Sequence, residues 1–294
     1  MTTTLADSVG YRSDLHLETV DAERALLFAR ATNDDSSIFR DGVATPPVFA
    51  AVLCGPPTSE VIRAVLPERA WTRMIHFAQD LHFHSPLVPG EVVTSTADAY
   101  SVRAISLGTL LCTRATLVDS EGRLRVEMYS TILVLDLTAG GSAGATPPDH
   151  RAPRGGSDQR EATVHVDLDQ TYRYAEASGD RMPVHLDDNV AREMGMPGII
   201  LHGMCGLAMA GSALIATVDK ADPRRLRRLA VRFLRPVLPG DDMRVSMRRP
   251  GRDAGTWSFT VRSENRLVMN DGYAVLGPPD LEVPPSTADG RASP

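Results

Sequence analysis

The chain has 294 residues and a mass of 31.8 kDa, enough for about two domains of ordinary size. Hydrophobic residues make up 43% and charged residues 23%, which fits a globular chain and excludes a disordered one; no window of about eighteen apolar residues runs uninterrupted, which excludes a bundle of membrane-spanning helices. A net charge of −6 and a pI near 5.8 leave no electrostatic footprint for a phosphate backbone, so nucleic acid is excluded as the main partner, and with no basic and apolar leader at Met1–Gly10 a cytoplasmic location is expected.

In chain order, residues 21–32 read as a helix. A second, more apolar helix is expected downstream but is interrupted by Gly55-Pro56-Pro57, where a continuous helix loses about 3 kcal/mol or more. Strands are expected around 74–84, 91–103, 108–119 and 124–136. His76, His82 and His84 share parity on the first of these; with no carboxylate partners they read as strand-face packing rather than a metal cluster. Residues 138–162 are rich in Gly, Ala, Ser and Pro and read as a linker. Asp169 can cap a short helix running to about Ser178, and Ile200 to Val218 reads as a helix apolar nearly all round, hence buried. Alternating strands follow, on Leu229, Val231 and Phe233, on Met243, Val245 and Met247, and on Trp257, Phe259 and Val261. The run Arg224, Arg225, Arg227, Arg228 reads as a solvated loop entering a strand, with a phosphate grip on a carrier as the competing reading. Residues 277–294 read as a tail. Cys54, Cys112 and Cys205 lack metal-ligand spacing and read as small apolar residues in a reducing compartment.

The chain repeats itself. Phe28-Ala29-Arg30-Ala31-Thr32-Asn33-Asp34 resembles Tyr174-Ala175-Glu176-Ala177-Ser178-Gly179-Asp180, and Leu81 to Glu91 resembles Val231 to Asp241, at offsets of 146 and 150 in the same order. A buried helix followed by antiparallel strands implies a sheet wrapped around a helix, and the repeat implies this twice. We therefore expect an α+β fold, with a degenerate first unit over 1–137 and a catalytic second unit over 163–276.

The second unit carries the chemistry-bearing residues. Asp180-Arg181-Met182-Pro183-Val184-His185 puts a carboxylate and an imidazole on one turn, and Gly198-Ile199-Ile200-Leu201-His202-Gly203-Met204 leads into the buried helix. An imidazole that titrates near neutrality can exchange a proton with a water shared by the acid. The unpaired N–H groups at the start of a helix suit a developing oxyanion, and Gly203 permits close approach.

This ordered set, with Pro236-Val237-Leu238-Pro239-Gly240-Asp241 closing a strand, resembles the MaoC-like dehydratase family, also called (R)-specific enoyl-CoA hydratases or hydratase 2, over most of residues 160–276. The resemblance implies a double hotdog fold in which Asp180 and His185 are the catalytic pair and Gly203 is the oxyanion donor, with His202 its structural neighbour; Met182, Pro183 and His202, and Phe39 by its place in the repeat, are expected near the substrate. It also implies reversible hydration of a trans-2-enoyl thioester on coenzyme A or an acyl carrier protein, without a metal or redox cofactor; a homodimer is compatible with it. The family pattern has Asn where this chain has Met182, which keeps open a repurposed scaffold for cyclisation or double-bond isomerisation in polyketide-type metabolism, and a non-catalytic acyl-binding subunit is the third reading. In the first half the repeat sets Asp34 against Asp180 but Phe39 against His185. That half lacks the base and is expected to host an acyl chain.

Overall fold

The computed structural model describes residues 4–149, 151, 156, 158–218, 222–250 and 255–278. The first half opens with β1 (His16–Thr19) and α1 (Ala22–Ala31), whose first turn is capped by Asp21 accepting from the Arg24 N–H at 2.9 Å. One turn, α2 (Ser37–Arg40), leads to α3 (Ala50–Leu53) and α4 (Gly55–Val65). The interruption expected at Gly55-Pro56-Pro57 is present. Both prolines lie at the start of α4, where a missing N–H costs no helical bond, and the stretch Pro47–Leu53 meets α4 at 47°. Strands β2 (Met74–Phe83), β3 (Val92–Ile105), β4 (Gly108–Asp119) and β5 (Leu124–Leu135) follow, and the two-residue β6 (Ala143–Gly144) returns to pair with β3.

The second half repeats the layout with β7 (Gln159–His165), α5 (Gln170–Ser178), α6 (Asp188–Glu193), α7 (Gly203–Thr217), β8 (Leu226–Phe233), β9 (Asp242–Arg248), β10 (Thr256–Ser263) and β11 (Arg266–Leu276). Strand β7 begins inside the segment read as linker; it is a half-exposed edge strand whose charged residues hide the alternation. Helix α7 begins three residues later than the apolar run. Asp169 precedes α5 as expected, yet it makes no side-chain cap and instead accepts from Arg173 Nε at 3.0 Å. From residue 279 onward the expected tail lies outside the described residues.

All the strands join in one antiparallel sheet of order β1-β3-β4-β5-β2-β8-β11-β10-β9-β7, with β6 beside β3. The two halves of this order mirror one another, and β2 meets β8 in the middle. There Asp80 pairs with Ala230, two residues separated by the repeat offset of 150, so a pseudo-two-fold axis passes between them. This is the double hotdog architecture. Helix α7 is wrapped by its half of the sheet, with Cys205 through Gly211, Leu214 and Ile215 all buried. Two of its glycines are required by that contact: a Cβ on Gly206 would lie 2.8 Å from Met269 Cε, and one on Gly211 would lie 2.9 Å from Leu229 Cδ2.

Helices α1 and α5 pack across the axis, with the equivalent Phe28 and Tyr174 rings 5.5 Å apart. Each helix closes the other's end. Arg24 of α1 donates to the Ala177 and Ser178 carbonyls at 3.0 and 2.9 Å, and Arg173 of α5 donates to the Arg30 carbonyl at 2.8 Å.

Candidate active site

The last turn of α5, held by Arg24, ends at Gly179 with φ 82°, a left-handed conformation that suits glycine and turns the chain sharply. Asp180 follows at once and is exposed. Its Oδ1 accepts from the Met182 N–H at 3.2 Å, and its own N–H donates to Ser178 Oγ at 3.1 Å. This turn delivers Pro183–His185, a single 3-10 turn.

The His185 Nδ1 lies 2.8 Å from the Ile200 carbonyl. A carbonyl only accepts, so Nδ1 carries the proton and Nε2 presents its lone pair. Burial holds the His185 pKa below the ordinary imidazole value. His202, immediately before α7 and 1% exposed, stacks on the His185 ring at 3.9 Å with Tyr174 behind it at 4.8 Å. Its Nε2 donates to the Asp180 carbonyl at 3.0 Å, while its Nδ1 is buried without a partner. Burial, followed by the neighbouring His185, pushes the His202 pKa down to about 4. His202 thus ties the Asp180 turn to the start of α7 and backs the ring of His185.

Gly203 is the first residue of α7, so its N–H has no partner within the helix. The Phe233 ring covers it, since a Cβ on Gly203 would lie 3.3 Å from Phe233 Cε1. Asp180, His185, His202 and Gly203 are thus gathered at one end of one helix. The ligand-capable atoms of Asp180, His185 and His202 lie within 4.8 Å of one another; each histidine gives one ring nitrogen to a carbonyl and keeps the other as an acceptor. Met182 is 41% exposed and Pro183 is exposed beside it, both at the rim.

The first half also reaches this site. The His76 ring lies 4.6 Å from Phe233, its Nε2 is 3.1 Å from Gln79 Oε1, burial pushes its pKa down to about 4, and the charge of Asp180 is felt there. Strand parity groups His76 with His82 and His84, but a bulge at Phe77 shifts the register between His76 and Ala78. The extra residue turns His76 inward while His82 remains on the outer face. The expectation that carboxylate partners are missing is also corrected, since His82 Nε2 lies 3.2 Å from Asp80 Oδ1.

Phe39 is buried on α2 and lies apart from the cavity lining described below. The arginine run is structural: Arg224 pairs with Asp222, Arg225 donates to the Gly277 carbonyl, Arg227 donates to the carbonyls of Arg224 and Leu226, and Arg228 holds Asp80 through bonds of 3.0 and 2.7 Å. The three cysteines are free and buried.

Similarity to known proteins agrees with this geometry. A family model described as "MaoC like domain" matches residues 151–269. The 3-hydroxyacyl-thioester dehydratase Y of Mycobacterium tuberculosis is 30% identical over 213 residues, covering 68% of this chain and 71% of that protein. The peroxisomal multifunctional enzyme type 2 of Drosophila melanogaster is 26% identical over 247 residues, 80% of this chain, which spans only 40% of that longer protein. Among solved structures, a MaoC-like dehydratase from Phytophthora capsici superposes with a TM-score of 0.80 at 22% identity, covering 92% of this chain and 97% of its own. The fold and site define a double hotdog protein with its polar groups at the start of a buried helix. The chain belongs to the MaoC-like dehydratase family.

Proposed function

We propose that the protein is an acyl-thioester hydro-lyase, adding water to a trans-2-enoyl thioester and, in reverse, dehydrating an (R)-3-hydroxyacyl thioester. The observation that carries this is the commitment of His185 Nδ1–H to the Ile200 carbonyl, which leaves a neutral Nε2 base beside Asp180 and the first N–H of α7. In hydration, Nε2 takes a proton from a water shared with Asp180 while the water oxygen bonds to C3. The C2=C3 π electrons move toward the thioester oxygen, where the Gly203 N–H stabilises the charge, and a proton returned to C2 by the same pair completes the addition. The carrier is coenzyme A or an acyl carrier protein, and the reaction as proposed requires no other cofactor. The second half supplies the chemistry, and a cavity of about 500 Å³ between the halves accommodates the acyl chain. Three unpaired cysteines support a reducing, cytoplasmic setting.

Loss of the conjugated thioester absorbance with crotonyl-CoA and longer enoyl-CoAs tests the activity. His185→Ala and Asp180→Asn are each expected to lower turnover by about 10² to 10⁴, the range for losing a positioned acid or base. Near-normal turnover in either variant rejects that residue's role.

A further inference from the structure

The cavity between the halves begins on α7 at Ala208, five residues or about 7 Å beyond Gly203 along the helix. Pro47, Val48, Met209 and Leu229 give it apolar walls, but Asp34 and Ser212 also line it, and exposed Asn33 and Asp35 mark its rim. The Ser212 hydroxyl donates to the Asp34 carboxylate, which also accepts from the Ser36 N–H at 3.1 Å. The pair satisfies itself, and the Asp34 carboxylate keeps acceptor capacity that a ligand in the cavity can use.

The repeat explains how that pair comes to be there. Asp34 is the counterpart of Asp180, but Phe39 occupies the place of the imidazole. Pro47, the first residue of its own helical stretch, stands where Gly203 is first in α7, and proline has no N–H to offer an oxyanion. Without base and donor this end of the molecule performs no chemistry. What it retains is a hydrogen-bonding group facing the acyl cavity.

We infer that the acyl chain of the substrate carries a hydroxyl group roughly 13 Å from its thioester carbonyl, the helical distance from Gly203 to Ser212, and that Asp34 and Ser212 bind it. This rests on reading the chain as an acyl-thioester hydro-lyase. A hydroxyl fits because it supplies a donor: the one hydrogen of Ser212 is already given to Asp34, so the Ser212 oxygen and the Asp34 carboxylate present acceptors to the cavity. Burial raises the Asp34 pKa against the opposing bonds from Ser212 and Ser36. A terminal carboxylate fits poorly, because it would face both Asp34 and Asp35.

Binding of unreactive saturated thioesters to the intact protein tests this by calorimetry, with dodecanoyl-CoA, its terminally hydroxylated form and its terminally carboxylated form. The hydroxylated form should bind about tenfold more tightly than the plain one, the size of one net hydrogen bond, and the carboxylated form more weakly than the plain one. Ser212→Ala and Asp34→Leu should each bring the hydroxyl preference close to one. Equal affinity of native protein for the plain and hydroxylated forms overturns the inference, as does a preference that survives both substitutions; the native comparison stands even where a variant misfolds. Turnover of the matching 2-enoyl thioesters separates this inference from the one beneath it. A protein that prefers the hydroxylated ligand but hydrates nothing loses the hydro-lyase reading and keeps the pocket. One that hydrates plain and hydroxylated chains while binding them equally keeps the activity and loses the pocket, and one that binds none of the three loses both.

Discussion

Gly203 and Pro47 hold equivalent first positions in their helical stretches, and one N–H separates them. That makes Gly203→Pro an informative substitution. Proline is favoured at the first helical position, and His202 before it already has φ −58° and ψ 132°, the extended geometry a following proline demands. The fold should therefore be kept, with Phe233 shifting slightly, while turnover falls by about 10² to 10³ as for other lost oxyanion donors. Unchanged turnover would remove Gly203 from the mechanism. Met182 tests the substrate side. Its exposed side chain at the rim is free of the packing that a buried methionine would defend, so Met182→Asn should keep or raise the rate on crotonyl-CoA; a fall in that rate favours the repurposed scaffold. The depressed pKa of His185 has a kinetic signature as well. Because burial favours the neutral ring, the rate of hydration should hold constant below the ordinary imidazole value of 6.5 and fall only at lower pH, which a kcat/KM profile would show.

The element scale shows how the turn bearing Asp180 is held. Arg24 lies in the other half of the molecule, yet it donates to the last carbonyls of α5. Arg24→Ala should cost about 1 to 2 kcal/mol in a denaturant titration and lower kcat several-fold, since the freed helix end loosens the turn. A loss of stability with unchanged kcat would confine Arg24 to a structural role. Much at this scale was legible beforehand, because β3 and β4 alternate over most of their length and the apolar α7 announces its own burial. What stayed hidden has local causes. Strand β7 sits at a sheet edge and carries charges, so its composition resembles a linker. A single bulge at Phe77 reverses the parity that placed His76 with His82, and no periodicity argument could detect it. Arg228 reaches Asp80 and Arg225 reaches the Gly277 carbonyl, both distant in sequence, so only the folded chain reveals that these two arginines are held within the structure. The ordered set from Asp180 to Gly203 was readable since its members are close in sequence, whereas the contributions of His76 and Phe233 depend on tertiary packing.

For the molecule as a whole, imidazoles kept neutral by burial couple stability to pH. His76 and His202 are pushed down to about 4, and His185 is lowered too. Below about 6.5 the unfolded chain takes up protons that the folded chain refuses, so stability should fall as pH drops from there toward 4. Urea midpoints at pH 7 and pH 5 test this, and a midpoint that does not fall at pH 5 contradicts it. His76→Phe should flatten part of the slope, because it removes one of the groups that titrates only on unfolding.

The pairing of Asp80 with Ala230 at the centre of the sheet bears on what duplication within one chain permits. In a dimer of identical subunits, the residue on the symmetry axis faces its own copy, so an acid there would meet an acid across neighbouring strands, where like charges directly opposite are unfavourable. Here the two sides are encoded separately. One keeps a buried aspartate, held by Arg228 and close to His82, and the other carries only a methyl group. Joining the halves lifts the requirement of self-complementarity from every position near the axis, so one side of the molecule can change without imposing the same change on the other.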